Sequence, residues 1–242
     1  MATVPAFPPK PGLVPLGLST ECDFAKNVQW VFALNEAQPT QIREMVSGLA
    51  VAQQGTPQTP SMGSGQLGQS LLIGGTALAS DYYYVAPPGI DQSVPYTIFM
   101  LFEPTSSLST RNWGGALSNA NSRNANNFLG SVSGNFNYNC NYGSAQSAGA
   151  AILTGGNPYF ALGVTRSSTL IELYINGAFA GNNTNSVGSS PAPARDRFAV
   201  GGAVGSEISG RTYLQGGINT DLSPEEIAEW AANPWMIFDW GL

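Results

Sequence analysis

The chain has 242 residues, of which 10% are charged, and a net charge of −6. With only 9 Lys+Arg it offers no basic surface to attract phosphates, which disfavours nucleic-acid binding. The absence of histidine removes Ser-His and Cys-His catalysis, His-ligated zinc and the usual neutral-pH proton shuttle. The 29 glycines, 17 prolines and scarce helical periodicity indicate an all-β chain, and sandwiches of this length are commonly one domain. Cys22 and Cys140 are far apart and form no metal-spaced cluster, so a reduced pair is expected rather than a disulfide framework. No apolar run approaches a membrane span, and the first twenty residues lack the basic start and unbroken apolar core of a secretion signal. Folding in the cytoplasm of the producing cell is the expectation.

Residues 1–26 open with prolines at 5, 8, 9, 11 and 15, a composition that favours extended polyproline geometry. It suits either a disordered tail or an extended arm. The arm reading takes Pro5, Phe7, Pro8, Pro9, Pro11 and Pro15 as residues that anchor the chain to a partner.

In residues 27–36, Val28, Trp30, Phe32 and Leu34 alternate with Asn27, Gln29, Val31 and Ala33, the pattern of a strand with one buried face. Residues 41–48 suit a short helical turn or a strand end. Residues 50–68 are rich in Gln, Gly, Ser, Thr and Pro and read as a loop with at most one edge strand. Two short strands follow in QSLLIGG and DYYYVAPPG, and residues 97–102, TIFMLF, are apolar on both faces, as in a central strand. Residues 112–127 carry so many Asn and Gly that an exposed loop is expected.

NFNYNCNY then places Phe136, Tyr138, Cys140 and Tyr142 on one face and Asn135, Asn137, Asn139 and Asn141 on the other. After the strand YFALGVTR comes TLIELYINGAFAG, where Asn176-Gly177 supplies the two positive-φ positions of a type I′ turn, so that Tyr174 faces Phe179. RFAVGGAVG and RTYLQGGINT complete the strands. Ser223 as N-cap, Pro224 at the first helical position and Glu226 closing a capping box then start a helix, with Leu222 and Ile227 as its hydrophobic staple. Asn233-Pro234 stops it. So short a helix must dock its Ile227, Trp230 and Ala231 face on something larger, and Trp230, Trp235, Phe238 and Trp240 read as core or sheet-covering residues.

The strand of residues 30–36, the L-Y-I-N-G hairpin at 173–177, the Gly-rich pair at 198–205 and the final strand running into L-S-x-E-E-I-x-x-W at 217–230 resemble, in their order, the concanavalin A-like lectin/glucanase superfamily in its laminin-G-like branch. The Asn233-Pro234-Trp235 ending is similar to versions of this domain in structural proteins of tailed bacteriophages. The resemblance covers residues 27–242 and implies a two-sheet antiparallel jelly-roll sandwich with one short C-terminal helix, preceded by the extended arm at 1–26.

Glucanases of this superfamily carry a Glu-x-Asp-x-x-Glu pattern on one strand, which supplies an acid/base and a nucleophile. Here the nearest match, Glu21-Cys22-Asp23, has Lys26 in the third acid's place and sits in the arm, while Glu103 and Glu172 are single. The chain is therefore expected not to be an enzyme, and no cofactor or metal is expected. Asp81, Asp91 and Glu103 form no spaced calcium motif. Sugar binding needs only an aromatic platform and amide or hydroxyl partners. The candidates are Trp113, Asn135, Asn137, Asn139 and Asn141, with Tyr82, Tyr83 and Tyr84 as further aromatic surface; the same residues also suit the plain solvent face of a sheet. These features lead to the expectation of a virion structural protein of a tailed phage, a capsid decoration, head-fibre or tail accessory component. It would be held to other virion proteins by its arm and present in several copies. A module for host surface glycan is the alternative.

Overall fold

The computed structural model describes residues 6–12, 15–38, 41–50, 52–54, 61–73, 81–85, 95–105, 111–117, 128–132, 135–141, 145–151, 153–185, 197–199 and 210–241. In chain order the strands are β1 (Gly17–Leu18), β2 (Val28–Phe32), β3 (Ala52–Gln54), β4 (Ser61–Gly65), β5 (Gly68–Ile73), β6 (Asp81–Val85), β7 (Tyr96–Pro104), β8 (Arg111–Leu117) and β9 (Phe128–Val132). They continue as β10 (Asn135–Asn141), β11 (Ala145–Ala151), β12 (Tyr159–Ser167), β13 (Leu170–Ile175), β14 (Ala178–Asn183), β15 (Arg197–Ala199), β16 (Gly210–Ile218) and, after helix α1 (Pro224–Ala232), β17 (Phe238–Asp239).

All pairings are antiparallel and build two large sheets, ordered β14-β13-β12-β7-β16-β5-β4 and β11-β10-β9-β8-β15-β6-β3. Strand β2 shares an edge of β16 with β5: Gln215 to Ile218 pair with β2, and Gly210 to Thr212 with β5. The expected all-β sandwich is thus present.

Period-two alternation along the first sheet feeds two cores. From β7, Ile98, Met100 and Phe102 enter the core between the sheets, together with Tyr159 and Ala161 of β12, Ile171 and Leu173 of β13, and Phe136, Tyr138 and Cys140 of β10. The intervening Phe99 and Leu101, with Phe160, Leu162, Val164 and Tyr174, enter a second core on the outer face of the same sheet. This corrects the one-sided reading of β2: Val31 and Ala33 are buried as fully as Trp30 and Phe32 because the outer face is covered as well.

The cover is the helix, the C-terminal tail and the N-terminal arm. Helix α1 begins as its residues predict, with Ser223 N donating to Glu226 Oε2 at 2.7 Å and Glu226 N donating to Ser223 Oγ at 3.1 Å. Its Trp230 ring lies 4.6 Å from Phe99, 5.2 Å from Phe160 and 4.9 Å from Phe24 of the arm. Strands β1 and β17 pair, tying the arm to the tail. Phe7, Cys22 and Phe24 belong to the same core as Ile218 and Trp230, so residues on both sides of position 26 share one packed unit.

One expected loop is a strand. β8 lies inside the second sheet between β9 and β15, although Arg-Asn-Trp-Gly-Gly-Ala-Leu shows no alternation; residues 118–127 lie outside the described set. Residues 50–68 hold two edge strands, one more than expected: β4 forms a hairpin with β5 and ends the first sheet, and β3 ends the second. Residues 41–50 are instead a bridge between Arg43 and Ala50 around a turn held by the buried Glu44. The Asn176-Gly177 turn has the expected positive φ of 53° and 80°, with Tyr174 and Phe179 packed edge to face at 5.6 Å. At the flank of the sandwich β11 meets β14. A Cβ on Gly181 would stand 2.9 Å from the Gly149 backbone, so this seam closes only because both positions are glycine.

Candidate functional site

Strand β10 carries the asparagine row on the outer face of the second sheet, because Phe136, Tyr138 and Cys140 are committed to the inter-sheet core. Opposite Asn137 on β9 stands Gly130, which leaves no neighbouring side chain on that side. Asn139 faces Ser147 of β11. Asn135 and Asn139 are half-buried, whereas Asn137 is only 8% exposed.

The amides differ in what they bond. Asn139 Oδ1 accepts from Ser147 Oγ, while its Nδ2 donates to nothing. Asn137 Oδ1 is buried and accepts no hydrogen bond. An unmet buried amide group costs about 1–3 kcal/mol, so these atoms are poised to gain from a ligand hydroxyl. The polar strip continues across the β11/β14 seam, where Asn183 Nδ2 donates to Ser147 O at 3.0 Å and Gln146 Oε1 at 3.3 Å. Every named group in the strip is a neutral amide or hydroxyl, which suits hydrogen bonding to a polyhydroxylated ligand and supplies no acid/base pair.

The other sugar-binding candidates are less concentrated. Trp113 falls at the register shift in β8, two strands from the row; its side chain and that of Asn141 lie outside the described set. Tyr82, Tyr83 and Tyr84 on β6 are four strands from β10, about 19 Å at normal strand spacing, so the sheet separates them from the amides. Ser147, Gln146 and Asn183 were missed by sequence reasoning because they meet the row only through sheet pairing and the seam between sheets.

The arm residues sit on the chain's own outer face. Phe7 and Pro15 are buried, Pro8 and Pro11 half-buried and Pro9 exposed; Pro5 lies outside the described residues. Trp235 Nε1 donates to Pro8 O at 2.9 Å, and Lys10 Nζ stands 5.5 Å from the Trp235 ring centre.

The well-buried carboxylates are engaged structurally. Glu44 accepts from three backbone N–H groups and the Ser47 hydroxyl. Glu103 accepts from Tyr213 Oη and from Gln66 Nε2, and burial together with Glu103 pushes the Tyr213 phenol up. Glu172 pairs with Arg166, which also pairs with Asp221 and donates to Leu222 O at 2.9 Å, fastening β12 to the entry of α1. Among the described residues no three His, Cys, Asp or Glu side chains cluster as metal ligands.

No family model matches the chain, and no curated protein matches it. Among solved structures it is similar to domain 4 of AbnA, a GH43 extracellular arabinanase from Geobacillus stearothermophilus, in complex with arabinotriose. The TM-score is 0.64 at 15% identity, over 85% of this chain and 98% of that one. The shared feature is the antiparallel β-sandwich. The botulinum neurotoxin serotype D binding domain matches with TM-score 0.63 at 10% identity, over 86% of this chain and 52% of that one. A Trypanosoma rangeli sialidase matches with TM-score 0.61 at 13% identity, over 88% of this chain and 33% of that one. The chain therefore spans nearly all of the arabinanase domain, about half of the toxin domain and a third of the sialidase. At these identities the likeness concerns the sandwich itself.

Proposed function

We propose that the chain is a non-catalytic binding module that recognises a neutral glycan on the outer face of β10. The observation that carries this reading is the pair of buried, unpartnered amide atoms, Asn137 Oδ1 and Asn139 Nδ2, an acceptor and a donor two residues apart on one strand face, which a ligand hydroxyl satisfies once the side chains turn outward. Hydroxyl-rich ligands offer matching donors and acceptors, and the strip puts no charge against them. The arabinotriose complex of the similar arabinanase domain supports a sugar as the ligand class. The sequence resemblance to phage structural proteins supports a setting on a virion, with this module as a decoration, fibre or tail component. Phe7 and Lys10 are engaged on the chain's own face, so attachment there would use what the arm leaves exposed, such as Leu16 at 76% exposure.

A glycan array probed with the purified chain, and with its Asn137→Ala variant, tests the reading. Binding to neutral oligosaccharides that falls at least tenfold in the variant is the expected result. A blank array, or equal binding by both proteins, ends it.

A further inference from the structure

A groove of about 530 Å³ runs where the arm crosses the C-terminal tail, on the opposite side of the molecule's sheets from the asparagine row. The arm contributes Pro8, Pro9 and Pro11 to its lining, and the tail contributes Trp235 and Trp240. Glu21 also lines it, is exposed, and forms no ion pair among the described residues. Cys22, another lining residue, has the negative charges of Glu229 and Asp23 near its thiol.

We propose that this groove binds an extended, proline-rich segment of a partner protein that carries a lysine or arginine. Three observations select that ligand. The surface already holds one such segment, since the arm presents the Pro8 carbonyl to the Trp235 indole N–H and Lys10 to its ring. Both indole N–H groups of the lining are taken, Trp235 Nε1 by Pro8 O and Trp240 Nε1 by Trp235 O, so a further polyproline segment, already extended and without internal hydrogen bonds, contributes its flat rings to the aromatic and proline walls. The acidic surroundings, with Glu21 unpaired, complement a basic side chain and not a neutral or anionic one. A sugar fits the lining poorly, because stacking needs an open ring face and Trp235 is only 3% exposed. Trp240, half-buried, is the ring with surface to offer.

Isothermal titration of the full chain with a synthetic peptide of its own residues 1–15, MATVPAFPPKPGLVP, tests this independently of the glycan reading. Saturable binding is expected, weakened at least tenfold by Glu21→Lys or Trp240→Ala in the protein and by Lys10→Glu in the peptide. Both substituted protein positions leave the asparagine face untouched, so glycan binding stays as it was. Absence of peptide binding overturns the proposal. So does binding that ignores Glu21→Lys and Trp240→Ala, which would mean that the peptide merely exchanges with the chain's own arm. Competition by soluble oligosaccharide at this groove overturns it too.

Discussion

The ammonium of Lys10 donates to the backbone carbonyl of Tyr213 at 3.0 Å, joining the arm to a strand 203 residues away. The same nitrogen donates to Ala33 O and, at 3.1 Å, to Gln69 O. These three carbonyls come from the end of β2, the start of β5 and the middle of β16, where β2 and β5 meet along one edge and the ladder of β16 with β7 shifts register between Thr212 and Leu214. Two strands abutting on one edge leave acceptors without ladder donors, and the lysine's three N–H groups meet them.

Replacing Lys10 by methionine keeps the packing and removes the donors. We expect a loss of about 1–3 kcal/mol in urea unfolding at pH 7. Burial pushes the Lys10 pKa down to about 7, with Glu36 opposing. Above that pH the unfolded chain still holds the proton that the folded chain has released, so this group's contribution to stability rises from about pH 7 toward the ordinary lysine value near 10.4. Unfolding at pH 6.5 and 9.5 should show a wider gap between wild type and Lys10→Met at the higher pH; a gap that narrows would show that burial does not lower this pKa.

Trp230 is wholly buried between Phe24, Phe99 and Phe160. Trp230→Ala should cost about 3–5 kcal/mol. A change below about 0.5 kcal/mol in chemical denaturation would show that the helix is peripheral to the fold.

Glu44 Oε1 accepts from Val31 N at 2.7 Å and Val46 N at 2.8 Å, and Oε2 from Ser47 N at 2.6 Å and Ser47 Oγ at 2.7 Å. Glu44→Gln turns a donor toward donors. Its expected cost is about 1–3 kcal/mol, read as a lowered melting temperature, with Glu44→Asp failing to restore it because the shorter arm cannot span both β2 and the turn.

Asn137 behaves oppositely, because its Oδ1 bonds nothing. Asn137→Ala should leave unfolding free energy within about 0.5 kcal/mol of wild type, or raise it, while glycan binding falls. A clear loss of stability would mean that the amide holds the sheet together and is no ligand contact.

Cys22 and Cys140 are free and lie in different cores, on opposite faces of the first sheet. Burial also raises the Cys22 thiol pKa. A thiol reagent should leave both unmodified in the native protein and label two per chain in denaturant; fast native labelling would show that the arm opens.

Features governed by neighbours in sequence were legible without coordinates. The Ser223/Glu226 capping box and the Asn176-Gly177 turn depend on residues one to three apart, and both formed as their chemistry dictates. The alternation of Phe136, Tyr138 and Cys140 against the asparagines likewise assigned the faces of β10. Tertiary structure decided the rest. β8 and β11 lack alternation and are strands because adjacent backbones hydrogen-bond them. Val31 is buried because the arm and tail return to cover a face that its own strand pattern leaves unassigned. The asparagine row acquires Ser147 through the pairing of β10 with β11, and Asn183 only where the two sheets meet with Gly181 against Gly149. Lys10 sits in a proline-rich stretch that in isolation suits solvent; only the abutment of β2 and β5 on β16 creates the carbonyl triad that receives its buried nitrogen.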